Sequence, residues 1–213
     1  MFQKTMMVLG FLILSAIVVY GQDFDLKKKK KRKKDILEVY HVLRHHKKIR
    51  QGLYLRYLKK QVIVNGYYDN DDKVGIWKYY DGLRRVQLEY DYDKKKVIDY
   101  ESFQDTTHYS QPPLLLGSTI EMKYKINEHI HYPQEALRNG YYGEITVGLL
   151  IDTLGVIKEW TIVKGCEESL NEEALRVVEL VTQEYQWLPA IKDDKYVESR
   201  YLIPIQFEMR RGY

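Results

Sequence analysis

The segment that most restricts the fold is Tyr201-Leu202-Ile203-Pro204-Ile205-Gln206-Phe207, near the carboxyl end of the 213-residue chain. Tyr201, Ile203, Ile205 and Phe207 recur at period two, which puts them on one face of a strand with one side buried. Pro204 has no N–H to give to a ladder, so this strand belongs at a sheet edge or at a bulge and not in the middle of a sheet. An edge with a hydrophobic back can accept a strand from another chain. Protection of the edge by Pro204 is the plainer reading of the same residues.

The elements before it supply the partners for such a strand. Ser118-Thr119-Ile120-Glu121 has capping-box spacing and predicts a short helix to about Ile130. Pro133 suits the first turn of a second helix, which Asn139-Gly140 would stop. Ile145, Val147, Leu149 and Ile151 mark a strand, Asp152-Thr153-Leu154-Gly155 a turn, and Val156 to Val163 the returning strand. Ser169 and Glu172 form a second capping-box pair, opening a helix whose stripe is Leu170, Ala174, Val177, Val178, Val181 and Tyr185. Trp187-Leu188-Pro189-Ala190 should end it, and one strand from Tyr196 to Met209 completes the unit. This order predicts an α+β domain, a small antiparallel sheet with helices packed on one face.

The middle of the chain repeats itself. Gly52, Tyr54, Tyr57 and Tyr67 are matched 23 residues later by Gly75, Trp77, Tyr80 and Tyr90. A fixed period means a repeated supersecondary unit. Turn signals at Asn65-Gly66, Asp69 to Asp72 and Asp81-Gly82 separate short aromatic runs, so each unit reads as a β-hairpin. Five segments follow from this pattern: 1–21 an export signal or anchor, 22–34 a basic linker, 35–100 the β repeat region, 101–117 a second linker and 118–210 the α+β domain.

Charge and composition narrow the function. Lys27 to Lys34 are eight basic residues in a row; with Lys4 they account for +9, so a chain of net charge +4 is otherwise −5. One tail-like run with no interleaved aromatics does not make a nucleic-acid face. Such a run stays solvated or touches an anionic surface. Met6 to Tyr20 is an apolar run of signal-peptide length, and cleavage near Gly21 would export the chain. Positive residues just beyond it favour retention on the cytoplasmic side, which keeps an inner-membrane anchor as the second reading.

No constellation for catalysis stands out: no glycine-rich phosphate loop, no nucleophile beside a base and no metal cluster, so an enzyme and a cofactor are not expected. Asp69-Asn70-Asp71-Asp72 reads as a hairpin turn, since Lys73 follows where a calcium loop needs more ligands. His41, His45 and His46 lack the glutamate of a metalloprotease helix. The predicted first helix separates His129 from His131. Cys166 is the only cysteine, so no intrachain disulfide forms.

Two resemblances follow from these residues. Asn65-Gly66-Tyr67-Tyr68 with Gly75-Ile76-Trp77-Lys78-Tyr79-Tyr80-Asp81 resembles MORN-variant repeats over residues 50–98, which implies a flat sheet displaying tyrosines for packing or protein contact, with no defined chemistry. Tyr132-Pro133, Ala136, Gly140, Gly143, Val147, Asp152, Gly155, Leu170, Ala174, Trp187, Pro189, Pro204 and Phe207 resemble the TonB C-terminal domain over residues 118–209. That second resemblance implies a periplasmic domain whose last strand, Tyr201 to Phe207, pairs with a peptide of an outer-membrane transporter, with Tyr132 and Pro133 as nearby contacts. The short apolar run and the absence of a long proline-rich spacer depart from full-length energy transducers. A periplasmic adaptor that binds envelope partners through its tyrosine-rich repeats is the other reading. Exchange of the edge strand between two copies would give a homodimer.

Overall fold

The computed structural model describes residues 26–101 and 109–209; the export or anchor reading of Met6 to Tyr20 lies outside them. Seven short strands follow one another: β1 (Leu26–Lys33), β2 (Ile36–Leu43), β3 (Arg50–Leu58), β4 (Gln61–Asp69), β5 (Asp72–Tyr80), β6 (Val86–Asp91) and β7 (Lys96–Tyr100). They form one antiparallel sheet in chain order. Local turns join neighbours, so each strand pairs with the next one made. The basic run, expected as a linker, is strand β1: its ladder to β2 runs from Leu26↔Leu43 to Lys33↔Ile36.

The aromatic repeat shapes this sheet from within. Tyr54 on β3 and Trp77 on β5, 23 residues apart, stack with centroids 5.4 Å apart. The strand between them must leave room, and it does so at Gly66, where an added Cβ would lie 2.2 Å from the Trp77 ring. Asn65-Gly66, expected to turn, therefore lies inside β4: packing under Trp77 and not chain reversal is what selects glycine there. The Asp69–Asp72 turn forms as predicted, with Asn70 and Asp71 at positive φ. Asp71 accepts hydrogen bonds from the Arg50 main-chain N–H and guanidinium.

The second half is the α+β domain. It contains helices α1 (Thr119–His129), α2 (Gln134–Asn139) and α3 (Glu168–Thr182), and a three-stranded antiparallel sheet in the order β10 (Ile157–Lys164), β9 (Gly143–Ile151), β14 (Ser199–Phe207). Ile145, Val147, Leu149 and Ile151 are fully buried against Leu170, Ala174, Val177 and Val178 of α3. Each larger side chain buried there stabilises by about 1.5–3 kcal/mol before conformational entropy is counted. Gly140 stops α2 in the left-handed conformation, as expected. At the β9–β10 turn, Asp152 Oδ1 accepts from the N–H groups of Leu154 and Val156, and Gly155 supplies the positive φ.

Neither capping box forms. Ser118 precedes α1, but its hydroxyl donates to the Tyr80 carbonyl on the large sheet. α3 starts before Ser169: Glu167 is its N-cap and accepts from the Leu170 N–H, while Ser169 Oγ donates to Glu167. The last predicted strand divides into β13 (Lys195–Val197), which pairs with β12 (Ala190–Lys192), and β14. Between α3 and β12, Trp187–Leu188 form β11.

The segment expected to be a second linker joins the two halves where it is described. Leu114–Leu115 form β8, paired with β11. Leu114 packs in the aromatic core of the large sheet, and its neighbour Leu115 packs in the aliphatic core of the domain. Beside it, Arg56 of β3 donates to the buried Glu121 of α1 at 2.7 Å, and Thr119 Oγ1 meets Gln87 Oε1 at 2.7 Å.

Candidate partner-binding edge

The three-stranded sheet has two terminal strands, and they differ. β10 follows β9 with two register shifts, one between Ile157 and Glu159 and one between Ile162 and Lys164. β14 follows β9 through nine consecutive pairs without a shift, from Ser199↔Ile151 to Phe207↔Gly143. Bulges disrupt and twist an edge, so β14 is the more regular template for a further strand.

Pro204 sits inside that ladder opposite Thr146. Because it lacks an N–H, an unbroken ladder requires its nitrogen to face away from β9. Main-chain direction alternates along a strand, so the groups of Arg200 and Gln206 face away from β9 with it. Those of Tyr201, Ile203, Ile205 and Phe207 turn towards β9. Their side chains point the other way in the pleat from the exposed Arg200, Pro204 and Gln206: Ile203, Ile205 and Phe207 are buried, and Tyr201 packs on Trp187 at 4.8 Å. Burial pushes the Tyr201 hydroxyl up to about 12, so it stays neutral at physiological pH. Leu202 is exposed on the opposite face and lies over Gly148.

The residues expected near this strand are brought to one end of it. Tyr132 meets Phe207 edge to face at 5.5 Å, and its hydroxyl donates to the Tyr141 carbonyl at 2.5 Å. Burial raises the pKa of that hydroxyl, and nearby Cys166 adds to the shift. Pro133 is half-buried at the start of α2. Around them lies a group that the sequence reading missed: Leu137, Tyr141, Tyr142 and Met209 are all exposed, Tyr142 at 69%. The Tyr141-Tyr142 doublet after the helix-stopping Gly140 was the signal available for it.

Other residues weighed from the sequence are occupied in local structure. His41 Nδ1 lies 3.2 Å from the Leu53 carbonyl within the large sheet. His129 ends α1, and the His131 N–H donates to Glu173 beyond it. Cys166 is exposed, and its N–H donates to Asn171. Among the described residues, no three His, Cys, Asp or Glu side chains lie close enough to hold a metal ion, and no helix is long and apolar enough to cross a membrane.

Two solved structures are similar to part of the chain, both solution structures of Helicobacter pylori TonB-CTD. The one of residues 179–285 is 21% identical, covers 44% of this chain and 82% of that one, and has a TM-score of 0.35. The one of residues 194–285 is 21% identical, covers 44% of this chain and 96% of that one, and has a TM-score of 0.33. No curated protein matches the chain. Residues 128–209, which carry the end of α1 and everything through β14, match the family of the Gram-negative bacterial TonB protein C-terminal.

Proposed function

We propose that this is a non-enzymatic cell-envelope protein of the TonB type, whose α+β domain takes a peptide segment of an outer-membrane transporter as an added strand on β14. The observation that carries this reading is the contrast between the two terminal strands: β14 is regular over nine pairs with Pro204 inside the ladder, whereas β10 shifts register twice. The family match over residues 128–209 supports it. In this reading the domain works in the periplasm, reached by way of Met6–Tyr20 as a cleaved signal or as an inner-membrane anchor. Arg200, Pro204 and Gln206 offer main-chain groups to the guest, with the Tyr132 and Pro133 end as a side-chain contact. Binding through MORN-like tyrosines is less well supported, because Tyr54, Tyr68, Tyr79 and Tyr90 lie inside the sheet's core.

The test is peptide titration with amide exchange on the full chain. Peptides from transporter segments should slow exchange at the Arg200 and Gln206 amides. Gln206→Pro should weaken them at least tenfold while leaving the far-ultraviolet circular dichroism unchanged. Protection confined to β10, or an affinity indifferent to Gln206→Pro, would sink the reading.

A further inference from the structure

Strand β1 holds the largest concentration of one charge sign in the molecule, and the fold leaves most of it unneutralised. Lys27, Lys28, Lys30, Lys31 and Arg32 are exposed, and none has an ion-pair partner among the described residues. The ladder places one acid opposite the strand, Glu38 facing Lys31, and that carboxylate already binds Arg56 at 3.3 Å and accepts from the Tyr54 hydroxyl. Lys34, just past the strand, pairs with Glu128 at 2.9 Å, and Lys29 donates to the Lys47 carbonyl. The remaining cations are held on a regular strand at the outer edge of the seven-stranded sheet. One or two lysines are enough to stop an edge from pairing with another chain; a row of them adds self-repulsion that edge protection does not need.

We propose that β1 is a docking surface for the anionic headgroups of a phospholipid bilayer. Two features of the chain choose that occupant. Gly21 to Asp25 are all that separates the apolar run Met6–Tyr20 from β1. Five extended residues span roughly 18 Å, so a bilayer that holds the run lies within reach of the lysines. The charge of the molecule is also split: residues 118–209 contain nine Lys and Arg against sixteen Asp and Glu. An anionic surface therefore attracts the β1 edge and repels the domain that carries β14. β1 also lacks the aromatic side chains on which the bases of a single-stranded nucleic acid would stack. The inference stands apart from the reading of β14.

The experiment is co-sedimentation of the full chain with vesicles of phosphatidylcholine alone and of phosphatidylcholine with phosphatidylglycerol. Each basic residue near an anionic leaflet strengthens partition about fivefold. The chain should therefore prefer the anionic vesicles by at least about a hundredfold in low salt, and lose that preference in 0.5 M salt, where the Debye length is roughly 4 Å. The variant K27Q/K28Q/K30Q/K31Q/R32Q should lose the preference as well. Its arginine counterpart K27R/K28R/K30R/K31R should keep it, which separates charge from fold should the glutamine variant not fold. Equal partition into both vesicle types, a preference that survives high salt, or retention of heparin without a preference for anionic vesicles would each overturn the proposal.

Discussion

The two halves of the molecule build their interiors from different materials. The α+β domain buries Ile145, Val147, Leu149 and Ile151 under α3, an aliphatic core with a helical layer over the sheet. The seven-stranded sheet buries Tyr54, Tyr68, Trp77 and Tyr79 instead, and their polar tips are partnered. Tyr54 donates to Glu38 at 2.9 Å, Arg50 donates to Tyr68 at 2.8 Å, the Tyr79 and Tyr92 hydroxyls meet at 2.9 Å, and Trp77 Nε1 donates to the Tyr67 carbonyl. An aromatic ring with a polar tip can close off a sheet face, because the ring supplies area and the tip remains near water. The consequence is a core that holds a depressed ammonium, Lys73, among raised tyrosines, beside one whose titrating groups are the raised tyrosines at its margin, Tyr132, Tyr185 and Tyr201.

The largest expected effect is Trp77→Ala, which empties the space shared by Tyr54, Tyr68 and Tyr92 and should cost about 3–5 kcal/mol. Leu149→Ala in the aliphatic core should cost about 2–5 kcal/mol. Denaturant unfolding followed by tryptophan fluorescence and by circular dichroism checks both. If Leu114, Leu115 and Arg56 couple the halves, each variant shifts one common transition; two separated transitions would break the comparison into independent domains.

Arg56→Met comes next. It leaves Glu121, whose side chain is only 5% exposed, with Lys125 at 3.5 Å as its remaining cation, and should cost about 3 kcal/mol. Adding Glu121→Met should recover most of that loss, because a buried pair replaced by apolar groups is near neutral. Failure of the double variant to recover would mean that the pair fixes the geometry between the halves. Gly66→Ala forces a methyl group against Trp77 and should cost about 1–3 kcal/mol despite adding only one carbon.

The smallest effect separates the cores by pH. Burial lowers the Lys73 ammonium to about 8 even though it lies over the Trp77 and Tyr92 rings, with Arg50 and Arg56 adding repulsion. The unfolded chain then binds more protons than the folded one between about pH 8 and 10.5, so this group makes stability rise with pH across that window. Tyr54, Tyr79 and Tyr92 act in the opposite sense: burial raises all three, Tyr92 to about 12, and stability falls once the unfolded tyrosines ionise above about pH 10. Thermal unfolding from pH 7.5 to 11 should show the rise in the parent chain and not in Lys73→Met, with the alkaline fall in both. A rise that persists in the variant would reassign it to another group.

Elements whose residues satisfy a local rule were legible in the sequence. The alternation in β9 and β14, the stripe of α3, the left-handed Gly140 and the Asp152 turn depend on neighbours two to four positions away, so spacing alone placed them. Pro204 constrained its strand for the same reason, since a missing N–H limits a ladder wherever the strand lies.

Residues that answer to distant partners were not legible. Gly66 looks like a turn until Trp77 is laid over it. Ser118 and Glu121 have capping-box spacing, but Tyr80 and Arg56 of the other half take their polar groups. The basic run reads as a solvated linker because lysine favours neither strand nor core, and it becomes β1 because Ile36–Leu43 offers it a ladder. The chain's own sequence determined the alternation of β9 and β14, the stripe of α3 and which strand carries the proline. Tertiary structure alone decided which polar groups serve the join between the halves, because those choices depend on distances that no local pattern records.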